Sequence, residues 1–495
     1  DHRDLHSFPT RRSSDLKQTK KILTAIIAVF IVIVMCGCST DKSLYNTALK
    51  QGLNQNSTAT LPADGKDGLD GKDGKDGDTL DLYKIYQTLI ELGEFSGTYS
   101  DFIKEYFPSE LSTLSINKSL KNVVSIFSGF TTEINVRVSA NSYETYTQKY
   151  FTAGSGIIYR VNKDSGDAII VTNYHVIFNA DSNEQISNDV NVFIYGKEQM
   201  TVTSTNPIED IYGNKYTSQE LTSNYSIKAK VLGGAINYDI AVLKITDSDI
   251  IKNSEAKQTN FANSDDITVG EKSYAIGNAS GMGISTTAGI VSVDSEYISM
   301  LGADNATTCT FRVIRTDTAV NPGNSGGGLF NTNGELIGLV NAKIASSKIE
   351  NIGYAIPSNI VDAVAKSIIH YCDGEEDLTM FRCLLGINVT STTSSAVYDS
   401  VTGKATIVEE VSISNVASSS PASGTLEVGD IITKAKITKS TGKIIKKDIT
   451  RTFHLVDLSL YLYAGDTIEI SVTKQDGTVV TFSHTFTTLE LTEIK

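Results

Sequence analysis

From about Val123 onward the apolar residues fall in short runs separated by Gly and Asn: Ser155 to Tyr159, Ala168 to Thr172, Val190 to Ile194, Ile240 to Ile245, Ser273 to Ile276 and Leu336 to Val340. Many short strands with such punctuation predict a mainly β unit, a barrel or a sandwich. The period then changes. Ile360, Val361, Val364, Ile368 and Ile369 share one face of a helix predicted over Ser358 to Tyr371. A polar hinge, Cys372 to Thr379, separates this unit, 123–371, from a mixed segment at 380–495. Upstream, Leu82, Ile85, Tyr86, Leu89 and Ile90 keep a helical period that Gly93 and Gly97 break. A second short helix is expected around Phe102, Ile103 and Tyr106, with Pro108 stopping it, which gives a small helical module at 79–110.

The N-terminal stretch follows other rules. Residues 1–16 show neither an apolar period nor a targeting pattern and resemble translated adapter sequence, so they are set aside as non-native. Lys17, Lys20 and Lys21 precede an apolar run, Ile22 to Val34, that is short for a spanning helix. Met35-Cys36-Gly37-Cys38 ends it and resembles a bacterial lipobox, which makes 17–38 a lipoprotein signal peptide with Cys38 as the lipidated residue. Residues 39–78 form the expected tether. Within it Gly65, Gly68, Gly71, Gly74 and Gly77 recur every third residue and resemble a collagen-like tract, too short and proline-poor to stand as a firm triple helix.

The 495 residues allow about three domains. With 57 acidic against 43 basic side chains the net charge is −14, which excludes the broad positive field that non-specific nucleic-acid binding needs. Five cysteines make no disulfide scaffold, although export would permit a bridge between Cys372 and Cys383. His370, His454 and His484 lack companions at ligand spacing, so no metal and no cofactor is expected.

Three segments carry the chemistry. An apolar strand, 168–172, delivers His175; Asp239 precedes a strand too apolar for the surface; and Ser325 lies in Asn321-Pro-Gly-Asn-Ser325-Gly-Gly-Gly-Leu329. A serine hydroxyl becomes a nucleophile when an imidazole takes its proton and a carboxylate fixes that imidazole. The glycine-rich turn supplies backbone N–H groups, with Gly323, Asn324 and Ser325 as the expected oxyanion-hole residues.

These segments resemble the HtrA (Deg) family of trypsin-fold serine proteases. The likeness runs from about Thr152 to Pro357 through GSGII (154–158), VTNYHVI (171–177), YDIAVLKI (238–245), AIGN (275–278), TAGIVS (287–292), RTDTAVNPGNSGGGL (315–329) and IGYAIP (352–357). It implies two six-stranded antiparallel β-barrels, the first donating His175 and Asp239 and the second Ser325. Two departures stand out: Gly328 replaces the family's usual proline or alanine, and residues 179–226 form an enlarged polar segment expected to be a surface loop. Ala319, six residues before Ser325, takes the place of an S1 base and carries no charge; with Val320 and Ala342 it implies cleavage after small or medium apolar residues. Asn324 replaces the acid that pairs with a new N-terminus in zymogen-type relatives, so proteolytic activation is not expected.

After the protease, Leu384-Leu-Gly-Ile387, the strand 405–411 and Leu426-Glu-Val-Gly-Asp-Ile-Ile432 are similar to a PDZ domain, an α+β module. The resemblance implies that backbone around Leu385, Gly386 and Ile387 receives the carboxylate of a peptide tail added as a strand. The whole reads as an exported serine endopeptidase of misfolded or regulatory proteins, lipid-anchored outside the cytoplasmic membrane and a homotrimer by family habit. The alternative is a catalytically silent, chaperone-like peptide binder on the same fold.

Overall fold

The computed structural model describes residues 82–91, 93, 95–99, 101–102, 108–342, 352–372, 380–400 and 404–494. The signal, lipidation and collagen-like readings, Cys38 included, fall outside them. The chain divides into a unit at 1–99 and a unit at 100–495. In the first, α1 (Leu82–Glu91) precedes a turn at which the rings of Tyr83 and Tyr86 both meet Tyr99 edge-on. In the second, Pro108 opens α2 (Pro108–Ser119), and most of the short helix expected before it, Ile103 and Tyr106 included, lies outside the described residues. Proline lacks only an N–H that the first helical turn leaves unpaired anyway.

The first barrel comprises β1 (Val123–Ser139), β2 (Ser142–Asn162), β3 (Asp167–Thr172), β4 (Asp189–Ile194), β7 (Ile227–Ala235) and β8 (Ile240–Ile245), closed in the order β1-β2-β3-β8-β7-β4. The enlarged segment is not simply a solvated loop. Apart from β4 it holds a hairpin of β5 (Thr201–Glu209) and β6 (Lys215–Thr222), and β6 leans on an overlong β2. Gln148 Nε2 donates to Thr217 O at 3.0 Å and the Phe151 N–H to Gln219 Oε1 at 2.9 Å. The second barrel closes as β10-β11-β14-β13-β12-β9, from β9 (Lys272–Gly277), β10 (Ser285–Leu301), β11 (Thr308–Thr316), β12 (Gly328–Phe330), β13 (Leu336–Val340) and β14 (Gly353–Pro357). Helix α3 (Ser358–Tyr371) follows.

Strand periodicity of two explains the continuous apolar runs. Val124, Ile126, Ile158, Ile170 and Leu243 fill the first barrel, and Ala275, Ile314, Leu329 and Ile337 fill the second. Their sequence neighbours Val123, Ile157, Val171, Val242, Ile276, Val313 and Leu336 point the other way into one shared cluster, completed by Ile360, Val361, Val364 and Ile368 of α3. Both faces of these strands are buried, so apolar residues run on without alternating with polar ones.

The C-terminal domain is a sheet in the order β16-β17-β18-β20-β21, from β16 (Ile387–Asp399), β17 (Lys404–Val416), β18 (Ile431–Thr438), β20 (Thr467–Thr473) and β21 (Val479–Thr485). β19 (Ile444–Asp448) pairs with β18, and β15 (Met380–Cys383) pairs with β22 (Leu491–Ile494). Helix α4 (Thr452–Ser459) closes its core with Leu455 and Leu458. Cys309, Cys372 and Cys383 are free thiols, so no bridge joins the last two.

The outer side of α4 meets the second barrel. Arg312 of β11 is 1% exposed, lies 4.0 Å from the centre of the Phe453 ring, and pairs with Asp457 and with Asp265. Lys447 reaches Asp265 at 2.7 Å and Arg451 reaches Asp294 at 3.0 Å. Removing one partner of such a buried pair leaves a charge without compensation. Burial pushes the Asp457 carboxyl up to about 6 against the pull of Arg312, and burial together with Lys447 pushes His454 down to about 4.

These two groups oppose each other. Asp457 holds its proton more tightly when folded, so its contribution favours the fold at low pH and is lost as pH rises through about 6. His454 holds its proton less tightly when folded, so its contribution is lost as pH falls toward about 4. Urea unfolding followed across this range is expected to show that His454→Gln makes stability fall with rising pH relative to wild type. Asp457→Asn should make it rise, each by on the order of 2 kcal/mol. Two variants with the wild-type slope would refute this account of the interface.

Candidate active site

β3 ends at Thr172, Asn173 is extended, and a single helical turn, Tyr174–Ile177, presents His175. Its flanking side chains Tyr174 and Val176 are buried, and the space they occupy exists because Gly234 and Gly154 lack a Cβ, which would lie 2.4 and 2.5 Å from them. Asp239 ends the turn Ile236–Tyr238 in left-handed backbone, φ 51°, just before β8. Its Oδ2 lies 2.7 Å from His175 Nδ1, and its Oδ1 accepts the His175 backbone N–H at 2.9 Å. An ionised carboxylate only accepts, so the ring proton sits on Nδ1 and Nε2 is left as the acceptor.

Ser325 lies in the turn before β12, braced by the first barrel. The Ser155 N–H donates to Ser325 O at 2.8 Å and Ser155 Oγ donates to Gly323 O at 2.7 Å. At Gly326, φ 83°, a Cβ would lie 2.2 Å from both Ser155 O and Thr172 Oγ1, so glycine is required there. Pro322 O accepts from the Ser280 N–H at 2.7 Å and Asn324 O from the Gly327 N–H at 2.9 Å. A trans peptide points its N–H away from its carbonyl, so these bonds turn the Gly323 and Ser325 N–H groups outward. Among the described residues neither donates to an acceptor. The Asn324 N–H, expected in the same set, is spent on Asn321 O at 3.0 Å, which reduces the candidate oxyanion hole to Gly323 and Ser325.

Ser325 Oγ accepts the Ala342 N–H at 3.1 Å, and among the described residues no hydrogen bond joins it to His175. Of the S1 candidates, Ala342 therefore lies against Ser325. Ala319 is exposed with its carbonyl held by Thr287 Oγ1 at 2.7 Å, and Val320 packs on the second barrel's core. In the C-terminal domain Leu385 is buried and Gly386 has φ 68°, with its carbonyl accepting from the Ala417 N–H at 2.8 Å. The N–H groups of Leu385 and Gly386 donate to nothing among the described residues, and Ile387 opens the edge strand β16.

Residues 154–339 match the trypsin-like peptidase domain. The serine protease Do-like HtrA of Lactococcus lactis subsp. lactis (strain IL1403) is 30% identical over 359 residues, spanning 70% of this chain and 76% of that protein. The chain belongs to the HtrA family of serine proteases. The serine protease Do-like HtrA of Bacillus subtilis (strain 168) is 34% identical over 219 residues, covering 44% of this chain and 39% of that one. Among solved structures, an HtrA-type protease AlgW with decapeptide aligns at 22% identity and a TM-score of 0.42, over 75% of this chain and 97% of that chain. The HtrA-family protein described here is accordingly a serine endopeptidase acting on polypeptides, and the silent-binder reading is not favoured.

Two residues of this HtrA-family site escaped the sequence. Asn341, fully buried, donates from Nδ2 to Asp239 Oδ2 at 2.7 Å, and Ser155 clamps the serine turn. Asn341 follows β13 directly, and an amide at the end of a fully apolar strand was the signal available. Gly328 also has a packing reason that its place after the serine concealed. A Cβ there would lie 2.3 Å from the Phe330 ring and 2.8 Å from Leu336, so the larger family residues do not fit this core.

Removing the Asn341 amide should loosen Asp239 without touching substrate. Asn341→Ala is expected to lower kcat about tenfold with little change in KM. A variant with the wild-type kcat would remove Asn341 from the site.

Proposed function

We propose that His175, Asp239 and Ser325 form the catalytic triad and that the Gly323 and Ser325 N–H groups form the oxyanion hole. The observation that carries this reading is the double contact of Asp239 with His175 beside two outward amides that have no acceptor among the described residues. In the reaction His175 Nε2 takes the Ser325 Oγ proton as the oxygen attacks the scissile carbonyl carbon. The carbonyl oxygen becomes an oxyanion between the two amides. Collapse expels the amine, which receives the proton from His175, and a water activated by the same imidazole releases the acyl group. Accepting the Ala342 N–H leaves Ser325 Oγ its own proton, and the cycle begins when that O–H is brought to His175 Nε2.

The uncharged Ala319, with Val320 and Ala342, favours small or medium apolar side chains before the cut. The C-terminal domain acts as a PDZ-like module: the amides of Leu385 and Gly386, which donate to nothing among the described residues, with Ile387 beside them on an edge strand, suit a peptide carboxylate and an added strand. Cys38 carries the lipid that tethers the protein outside the cytoplasmic membrane, where misfolded or regulatory chains are its substrates, and three copies assemble as a homotrimer.

Purified wild type and Ser325→Ala on unfolded casein test the core of this reading. The variant should lose at least about a thousandfold in kcat and fail to take a fluorophosphonate label. Equal turnover, or labelling elsewhere in the wild type, would take Ser325 out of the mechanism.

A further inference from the structure

The triad acid has a support from outside the protease domain. Arg382, in β15, lies two residues before the loop that holds Leu384 and Leu385. Its Nη1 donates to Tyr238 OH at 2.6 Å and its Nη2 to Ser459 Oγ, at the end of α4, at 3.0 Å. The guanidinium also lies 5.9 Å from the Tyr238 ring centre. Tyr238 is the residue immediately before Asp239.

Asp239 is in left-handed backbone, which is strained for a residue with a Cβ and persists only where its surroundings hold it. Two of the restraints are local to the first barrel. The Asp239 N–H donates to Ile236 O at 3.0 Å, and Asn173 Nδ2 donates to Asp239 O at 2.9 Å. The third grips the preceding side chain at its far end, and it belongs to the other domain. A phenol fixed at its ring and its hydroxyl cannot swing, so the peptide between Tyr238 and Asp239 cannot rotate freely either.

We propose that Arg382 is a positioning residue: through Tyr238 it holds Asp239 in the orientation that fixes His175, so that the docked C-terminal domain completes the protease site. This rests on the triad reading above. Arg382 touches neither substrate nor reacting atoms. Its effect is on the geometry of the acid and hence on kcat, with substrate binding left intact.

The test uses the full chain. Arg382→Met keeps most of the apolar stem, Tyr238→Phe removes only the hydroxyl, and Arg382→Lys restores one charged donor. Arg382→Met and Tyr238→Phe are each expected to lower kcat about tenfold with KM unchanged. They should also move the acid limb of the kcat/KM profile to lower pH, since a misplaced carboxylate stabilises the imidazolium less. Arg382→Lys should recover most of both effects. Unchanged kcat and acid limb would overturn the proposal, as would a kcat loss that leaves the limb in place and that lysine does not recover. Thermal unfolding identifies a variant that fails to fold, and if Arg382→Met does so, the single-atom change at Tyr238 decides. An inactive Ser325→Ala beside an unaffected Arg382→Met would sink this inference alone, whereas an active Ser325→Ala would sink the triad reading first.

Discussion

The site depends on hydrogen bonds that cross the seam between the two barrels. Ser155 belongs to the first barrel, yet its N–H and hydroxyl hold the carbonyls of Ser325 and Gly323 in the second. Its own hydroxyl also accepts the Asn278 N–H at 2.7 Å, and its carbonyl accepts from Thr172 Oγ1 at 2.6 Å. Thr172 ends the strand that leads to His175, so one serine ties the histidine arm to the turn that holds Ser325. All of these groups are buried, where an unmade hydrogen bond costs the full desolvation of the group. The seam therefore resists opening, and the barrels cannot slide without breaking the turn that aims the Gly323 and Ser325 amides.

The shared apolar cluster makes that seam rigid. Neighbouring residues in a strand, such as Val123 and Val124 or Ile157 and Ile158, divide between the private core of a barrel and the core common to both. Helix α3 then covers the common core and leads to the C-terminal domain. That domain is not merely tethered. Tyr461 OH donates to Asn359 O at 3.0 Å, beside the cluster of Arg312, Asp265 and Asp457. An interface of buried charges and one aromatic face is specific in geometry and costly to break by halves, which suits a domain whose Arg382 reaches Tyr238, the residue before Asp239.

Much of this was legible along the chain. The strands 240–245 and 336–340 and the helix 358–371 appear with the bounds that their apolar periods gave. His175, Asp239 and Ser325 were legible because each sits where an apolar run stops against Asn or Gly. Less legible was whatever depended on a neighbour distant in sequence. The segment 179–226 looked like a loop because its hairpin gains its hydrogen bonds from β2, and the helix that Pro108 opens went unseen because its own apolar period is weak. The long polar stretch after Gly386 forms β16 because it pairs with β17, not because of its own apolar pattern.

The sequence by itself determined the two-barrel class, the candidate residues His175, Asp239 and Ser325 and the glycines that let the backbone turn near them, because local period and local sterics act within a few residues. Tertiary structure alone decided that the Gly323 amide faces outward, that Asn341 completes the shell of Asp239 and that Arg382 grips Tyr238. Each of those outcomes needs a donor and an acceptor from distant parts of the chain to meet within about 3 Å. Such meetings are set by how the barrels and the last domain pack, which no local pattern records.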